Sequence, residues 1–164
     1  MTKRIPLLTC FNILTVGLPF CAFKIVTAIY LLNFYKEGAF TFSIAGVLMG
    51  LGLIDSFFNL GNLLTLIIKK ERYLPICLFT LISEKILRHF EKSPENYLEF
   101  GAALDTLLAF VLVALMILDG ALGQIEPWQL TVWNWSVVLN VLGAGLGRLW
   151  TAWSLIKEKR PKQV

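Results

Sequence analysis

The sequence predicts an all-α membrane protein: four transmembrane helices, one amphipathic helix on the cytoplasmic side, and both termini cytoplasmic. Three observations predict it. Four apolar stretches, Ile5–Leu31, Phe42–Ile68, Leu98–Leu118 and Thr131–Ile156, are each long enough to cross a bilayer core, which takes about 20 residues at the helical rise. Hydrophobic residues make up 57% of the 164 positions, more than a small soluble domain can bury. And twelve of the 15 Lys and Arg residues fall in three segments that four crossings would place on one side.

Those segments are the N-terminus (Lys3, Arg4), the connection between the second and third stretches (Lys69, Lys70, Arg72, Lys85, Arg88, Lys92) and the C-terminal tail (Lys157, Lys159, Arg160, Lys162). Cytoplasmic loops collect basic residues, and that bias orients the chain. The other side carries Lys36 beside Glu37, then Asp119 and Glu126. The expected location is the plasma membrane, or inner membrane of a bacterium. The net charge of +4 then addresses anionic lipid head groups at the cytoplasmic face. A nucleic-acid partner is excluded, because no basic face or motif is present.

Taken in order, the first stretch follows Lys3 and Arg4 as a signal peptide would. It runs on past Cys21 without a small-residue cleavage site, which predicts a retained span. Pro19, two residues after Gly17, predicts a kink, since proline removes one helical hydrogen bond. Lys24 lies seven residues from the outer end of the run and is expected to snorkel outward in preference to reaching inward to Asp55. The second stretch carries Asp55, Asn59 and Asn62 at i, i+4 and i+7, one stripe of a helix, with Ser56 beside it.

Leu74–Ser83 is too short to span. Phe79, Ile82, Ile86 and Phe90 share a helical face, and the reading is an amphipathic helix over about 75–92 on the cytoplasmic leaflet. A short re-entrant hairpin is the lesser alternative. Ser93-Pro94-Glu95 then starts the third spanning helix, with Ser as N-cap and Pro in the first turn. Asp105 in that helix and Arg148 in the last lie at similar depth by helical rise, which predicts an ion pair between them. In the last stretch Trp128, Trp133 and Trp135 are read as outer interfacial anchors and Trp150 and Trp153 as inner ones.

Ionisable residues within a span are costly, so they mark function or pair with one another. The candidate intramembrane polar site is therefore Asp55, Asn59, Asn62, Asp105 and Arg148, with Asn140 on the same face as Arg148. Gly46 and Gly50, and Gly143 and Gly147, have the spacing that lets helices approach closely, and they predict packing between the second and fourth helices, within the protomer or between protomers.

The chemistry excluded is as informative. One His (His89) and three scattered Cys leave no metal, haem or thiol-exchange design. Cys10 and Cys21, about 16 Å apart along one helix, cannot pair. No phosphate loop or hydrolase motif is present; the one enzyme reading left, an acid–base dyad of Asp55 and Asp105, is disfavoured because the two are offset in depth. The sequence thus predicts a single domain (1–164) with no enzymatic activity and no cofactor. It acts as a homo-oligomer or as an accessory subunit of a larger membrane complex. The alternative is a small ion- or proton-conducting channel or transporter built on the Asp/Asn/Arg cluster.

Overall fold

The computed structural model describes residues 5–35, 38–69, 73–87 and 94–158. They form α1 (Ile5–Asn12), a wide π turn (Ile13–Gly17), α2 (Leu18–Phe34), α3 (Ala39–Lys69), α4 (Leu78–Leu87), α5 (Pro94–Leu118), a 3-10 turn (Ala121–Gly123) and α6 (Pro127–Glu158). Four of the helices are long and apolar enough to cross a membrane: Thr9–Phe34, Ala39–Lys69, Tyr97–Leu118 and Pro127–Gly147.

These four are not equivalent. The first is 61% buried inside the protein, against 22%, 28% and 17% for the others. It is the hub: α3, α5 and α6 all pack on it and make at most marginal contact with one another. The face each presents is legible as a three-four alternation, the spacing that keeps side chains on one side of a helix. In α3 it is Ala45, Leu48, Gly52, Asp55, Asn59, Asn62 and Leu66, all buried. In α6 it includes Trp133, Ser136 and Gly143.

Within the hub, Pro19 has no N–H to give and its ring crowds the carbonyl four residues back. The helix absorbs this by widening: the Leu18 N–H donates to the Ile13 carbonyl, five residues back. The expected kink is thus realised as a π turn, a known source of helix distortion. Thr15, inside that turn, donates its hydroxyl to the Phe11 carbonyl at 2.8 Å.

The glycine pairs behave differently from expectation. A Cβ at Gly143 would collide with the Thr15 hydroxyl, and one at Gly147 would lie 3.7 Å from the Asn12 side chain. The fourth spanning helix therefore uses its glycines against the first, not the second. Gly46 and Gly50 have nothing within 4 Å of a would-be Cβ and lie off the buried stripe of α3. Among the described residues the second and fourth helices make at most marginal contact within the protomer; both pack on the hub.

Trp133 corrects another expectation. It is 2% exposed and packs on Phe23 with ring centroids 4.9 Å apart and the rings tilted by 60°, inside a core that also holds Phe20, Val26, Tyr30, Ala109 and Met116. Trp128, Trp135 and Trp153 are exposed; the Trp150 side chain lies outside the described residues. The Trp133 face of α6 also carries Ser136, Asn140, Gly143 and Gly147, small or polar residues that mark a packed stripe rather than a lipid-facing one.

α6 begins at Pro127, four residues ahead of the expected start. Gln129 accepts the Glu126 N–H at 2.9 Å, the returning half of a capping box. α5 begins at Pro94 as expected; Ser93 lies outside the described residues. It ends at Leu118 and is capped by Gly120, whose φ of 66° and N–H bond to the Ile117 carbonyl make a left-handed cap suited to glycine. Beside that cap, Asp119 accepts hydroxyl hydrogen bonds from Tyr30 at 2.6 Å and Tyr35 at 2.9 Å. The two donors hold its carboxyl below the usual carboxylate range, since they favour the ionised form.

The helix expected over 75–92 runs from Leu78 to Leu87, and residues 88–92 lie outside the described residues. Its inward face is polar: Thr80 and Ser83 are buried, while Ile82 and Ile86 are exposed. Thr80 meets α5 where a glycine permits it, since a Cβ at Gly101 would lie 2.5 Å from the Thr80 Cα.

Candidate functional site

Lys24 is fully buried, at 0% exposure. Its ammonium donates to the Asp55 carboxylate at 2.5 Å and also to the Asp105 carboxylate. One cation on the hub helix thus ties α3 and α5, which hardly touch one another, to the same point.

One expectation is corrected here. Lys24 does not snorkel to the end of its helix: α2 continues to Phe34, ten residues on, so that end is about 15 Å away by helical rise, beyond the reach of a lysine. Asp105 pairs with Lys24; the Arg148 side chain, its expected partner, lies outside the described residues.

Asp55 also serves α4. Its other oxygen accepts the Leu78 N–H at 2.6 Å, placing a carboxylate on the first amide of a helix, where the dipole favours negative charge. The same terminus is closed by Thr80, whose hydroxyl oxygen accepts the Cys77 N–H at 3.3 Å. Asn62 holds the chain leading into α4. Its Oδ1 accepts the Leu74 N–H at 2.9 Å, and its Nδ2 donates to the Leu74 and Pro75 carbonyls, both at 3.0 Å. Between them, Asn59 donates to the Asp55 carbonyl at 2.8 Å and to the Cys21 sulfur at 3.7 Å. It presses on Gly17, where a Cβ would collide with its Oδ1.

The polar stripe predicted from the spacing is therefore a docking strip. Asp55 lies 14 residues from the Lys69 end of α3, about 21 Å by helical rise. Residues 74–78 reach that depth along α3, held first by Asn62 and then by Asp55, before α4 turns onto α5.

The predicted residues divide accordingly. Asp55 and Asp105, expected at different depths, meet at Lys24, while Asn59 and Asn62 lie farther along the stripe, on Cys21 and on the chain entering α4. Asn140 faces the hub on α6, with its Nδ2 buried and without a hydrogen-bond partner among the described residues. Lys24 itself, the Leu78 amide and Gly52 are not among the site residues that the sequence predicts. Gly52 continues the alternation that contains Asp55, and a Cβ there would meet the Cys21 carbonyl at 3.2 Å and the Ile25 side chain at 2.6 Å. That close approach is what brings Lys24 within reach of α3.

Electrostatically, one ammonium between two carboxylates carries a net charge of −1 when all three are ionised. Burying uncompensated charge is expensive, so the arrangement can act as an ionic clamp, as a proton site, or as both. Among the described residues, no three His, Cys, Asp or Glu side chains come together as metal ligands would. No protein-family model matches the chain, and no curated relative or solved structure is detectably similar to it.

Proposed function

We propose that this chain is a small, non-enzymatic integral membrane protein that works by association, as a homo-oligomer or as an accessory subunit of a larger membrane complex. The observation that carries this reading is where its polar groups go. Asp55, Asn59 and Asn62 are all bonded to the chain's own groups. They brace the helices rather than line a path. The glycine face of α3, in contrast, is left open: a Cβ at Gly46 or Gly50 would have none of the described residues within 4 Å, and small residues of this spacing let a second helix approach closely.

The test exploits that openness. Gly46→Leu and Gly50→Leu have room within the protomer, so each should leave the monomer folded. Cross-linking in membranes and mass measurement in mild detergent should then show loss of association. Unchanged assembly in both variants would sink the reading.

Both termini are proposed to be cytoplasmic and the membrane to be the plasma or bacterial inner membrane, with anionic lipid at the cytoplasmic face. The support is the twelve basic residues in segments on one side. A tag on the C-terminus should resist labelling from outside intact cells and react after permeabilisation. On this orientation the segment 74–87 enters the bilayer from the cytoplasmic side as a re-entrant hairpin, with the apolar Ile82 and Ile86 facing lipid.

A second reading, a small ion- or proton-handling protein, is favoured by one specific observation: two carboxylates share a single buried ammonium.

A further inference from the structure

The three ionic side chains are not bonded alike. Asp55 accepts from two donors, the Lys24 ammonium and the Leu78 amide, through different oxygens. Asp105 accepts only from Lys24 among the described residues. A carboxylate held by more donors is the better anion, so Asp55 is the counter-ion of Lys24.

The side chain of Asp105 is nine-tenths buried, and its second oxygen meets no donor among the described residues. The described groups around it supply no further positive charge; the Arg148 side chain lies outside them. Lys24 and the Cys21 thiol come from the hub, Asp55 from α3 and the Cys77 thiol from the chain entering α4. α6 contributes no charged group there among the described residues.

We propose that the Lys24–Asp55–Asp105 triad is a binding site for one proton, carried on Asp105. With Lys24 as ammonium, Asp55 as carboxylate and Asp105 as carboxylic acid, the buried cluster is neutral. Release of the proton leaves a carboxylate on Asp105 and a net charge of −1 between three helices. Asp105 is also the member with access, its side chain 10% exposed against 0% and 1% for Lys24 and Asp55, so the proton enters and leaves on the α5 side. The proposal uses the cluster of the second reading and does not need transport. A negative proton-flux measurement in liposomes would remove transport and leave the site standing.

The experiment is infrared spectroscopy of the full-length protein in lipid nanodiscs, with the aspartate carboxyls labelled with carbon-13. The chain has three aspartates, and the exposed Asp119 is held ionised by its two tyrosines. At pH 7 the wild type should show one labelled carboxylic-acid carbonyl, shifted in heavy water and lost in a single one-proton step as the pH is raised. Asp105→Asn should abolish it. Asp55→Asn should abolish it too, because Asp105 then becomes the counter-ion of Lys24 and ionises. A wild-type spectrum with no protonated aspartate at pH 7 overturns the proposal without any variant having to fold. A band that survives Asp105→Asn, or that persists in folded Asp55→Asn, overturns it as well.

Discussion

Lys24→Met is expected to destabilise the protein by about 3–5 kcal/mol, the range seen when one partner of a buried ionic cluster is removed. The substitution keeps the apolar stem but leaves Asp55 and Asp105 facing one another at the junction of the hub, α3 and α5. The cost is electrostatic, and a set of variants separates it from lost packing. Asp55→Asn and Asp105→Asn each leave a neutral pair with Lys24 and should be much milder. In Asp55→Asn the side-chain amide oxygen can still accept the Leu78 N–H. The double variant Asp55→Asn/Asp105→Asn strands the ammonium and should be as damaging as Lys24→Met. The triple variant Lys24→Met/Asp55→Asn/Asp105→Asn should recover most of the loss, because a buried cluster replaced by neutral groups of similar shape is often tolerated. Thermal unfolding in detergent, read by circular dichroism, gives the order. A triple variant no better than the double would show that packing, not charge balance, dominates.

The second large effect is expected at Gly101. A methyl there would lie 2.5 Å from the Thr80 Cα, 2.7 Å from its N and 2.8 Å from the Phe79 carbonyl carbon. All three are backbone atoms and no side chain can turn aside, so Gly101→Ala must push α4 away from α5. Overpacking of this kind costs about 1–3 kcal/mol. Its signature is local. Cys77, 2% exposed at the start of α4, should become reactive to a membrane-permeant maleimide, while Cys21 on the hub stays protected. Gly145→Ala is the control, since nothing lies within 4 Å of the added atom and alanine is the better helix former. Equal Cys77 labelling in both variants would refute the tight crossing.

Much of this architecture is legible in the residues alone. The four long helices follow from run length, and the Asp55/Asn59/Asn62 stripe from a spacing that only a helix brings onto one face. What the residues do not reveal is which helix each stripe meets. Asp105 and Arg148 share a depth by simple rise, but depth says nothing of azimuth, and the α5 face that carries Asp105 turns to the hub. Lys24 misleads because the apolar run stops at Leu31 while the helix continues through Asn33 to Phe34, carrying the lysine out of reach of the surface. Trp133 fits the rule for interfacial aromatics only while its neighbours on the same face, Ser136, Asn140 and Gly143, are left out of account. The capping of α4 by a carboxylate 23 residues earlier has no local signal, because the bond exists only once tertiary contacts form.

The central position of the first span has a consequence for how the protein is made. The ribosome delivers that helix before α3, α5 and α6, with Lys24 in its middle, 31 residues ahead of Asp55 and 81 ahead of Asp105. Until α3 follows, the nascent chain must place an unaccompanied ammonium in hydrocarbon, at a cost of about 2.5–3.5 kcal/mol on the translocon scale. The helix that organises the finished bundle therefore carries a charge that it cannot neutralise by itself, and its settled place in the bilayer depends on helices not yet translated.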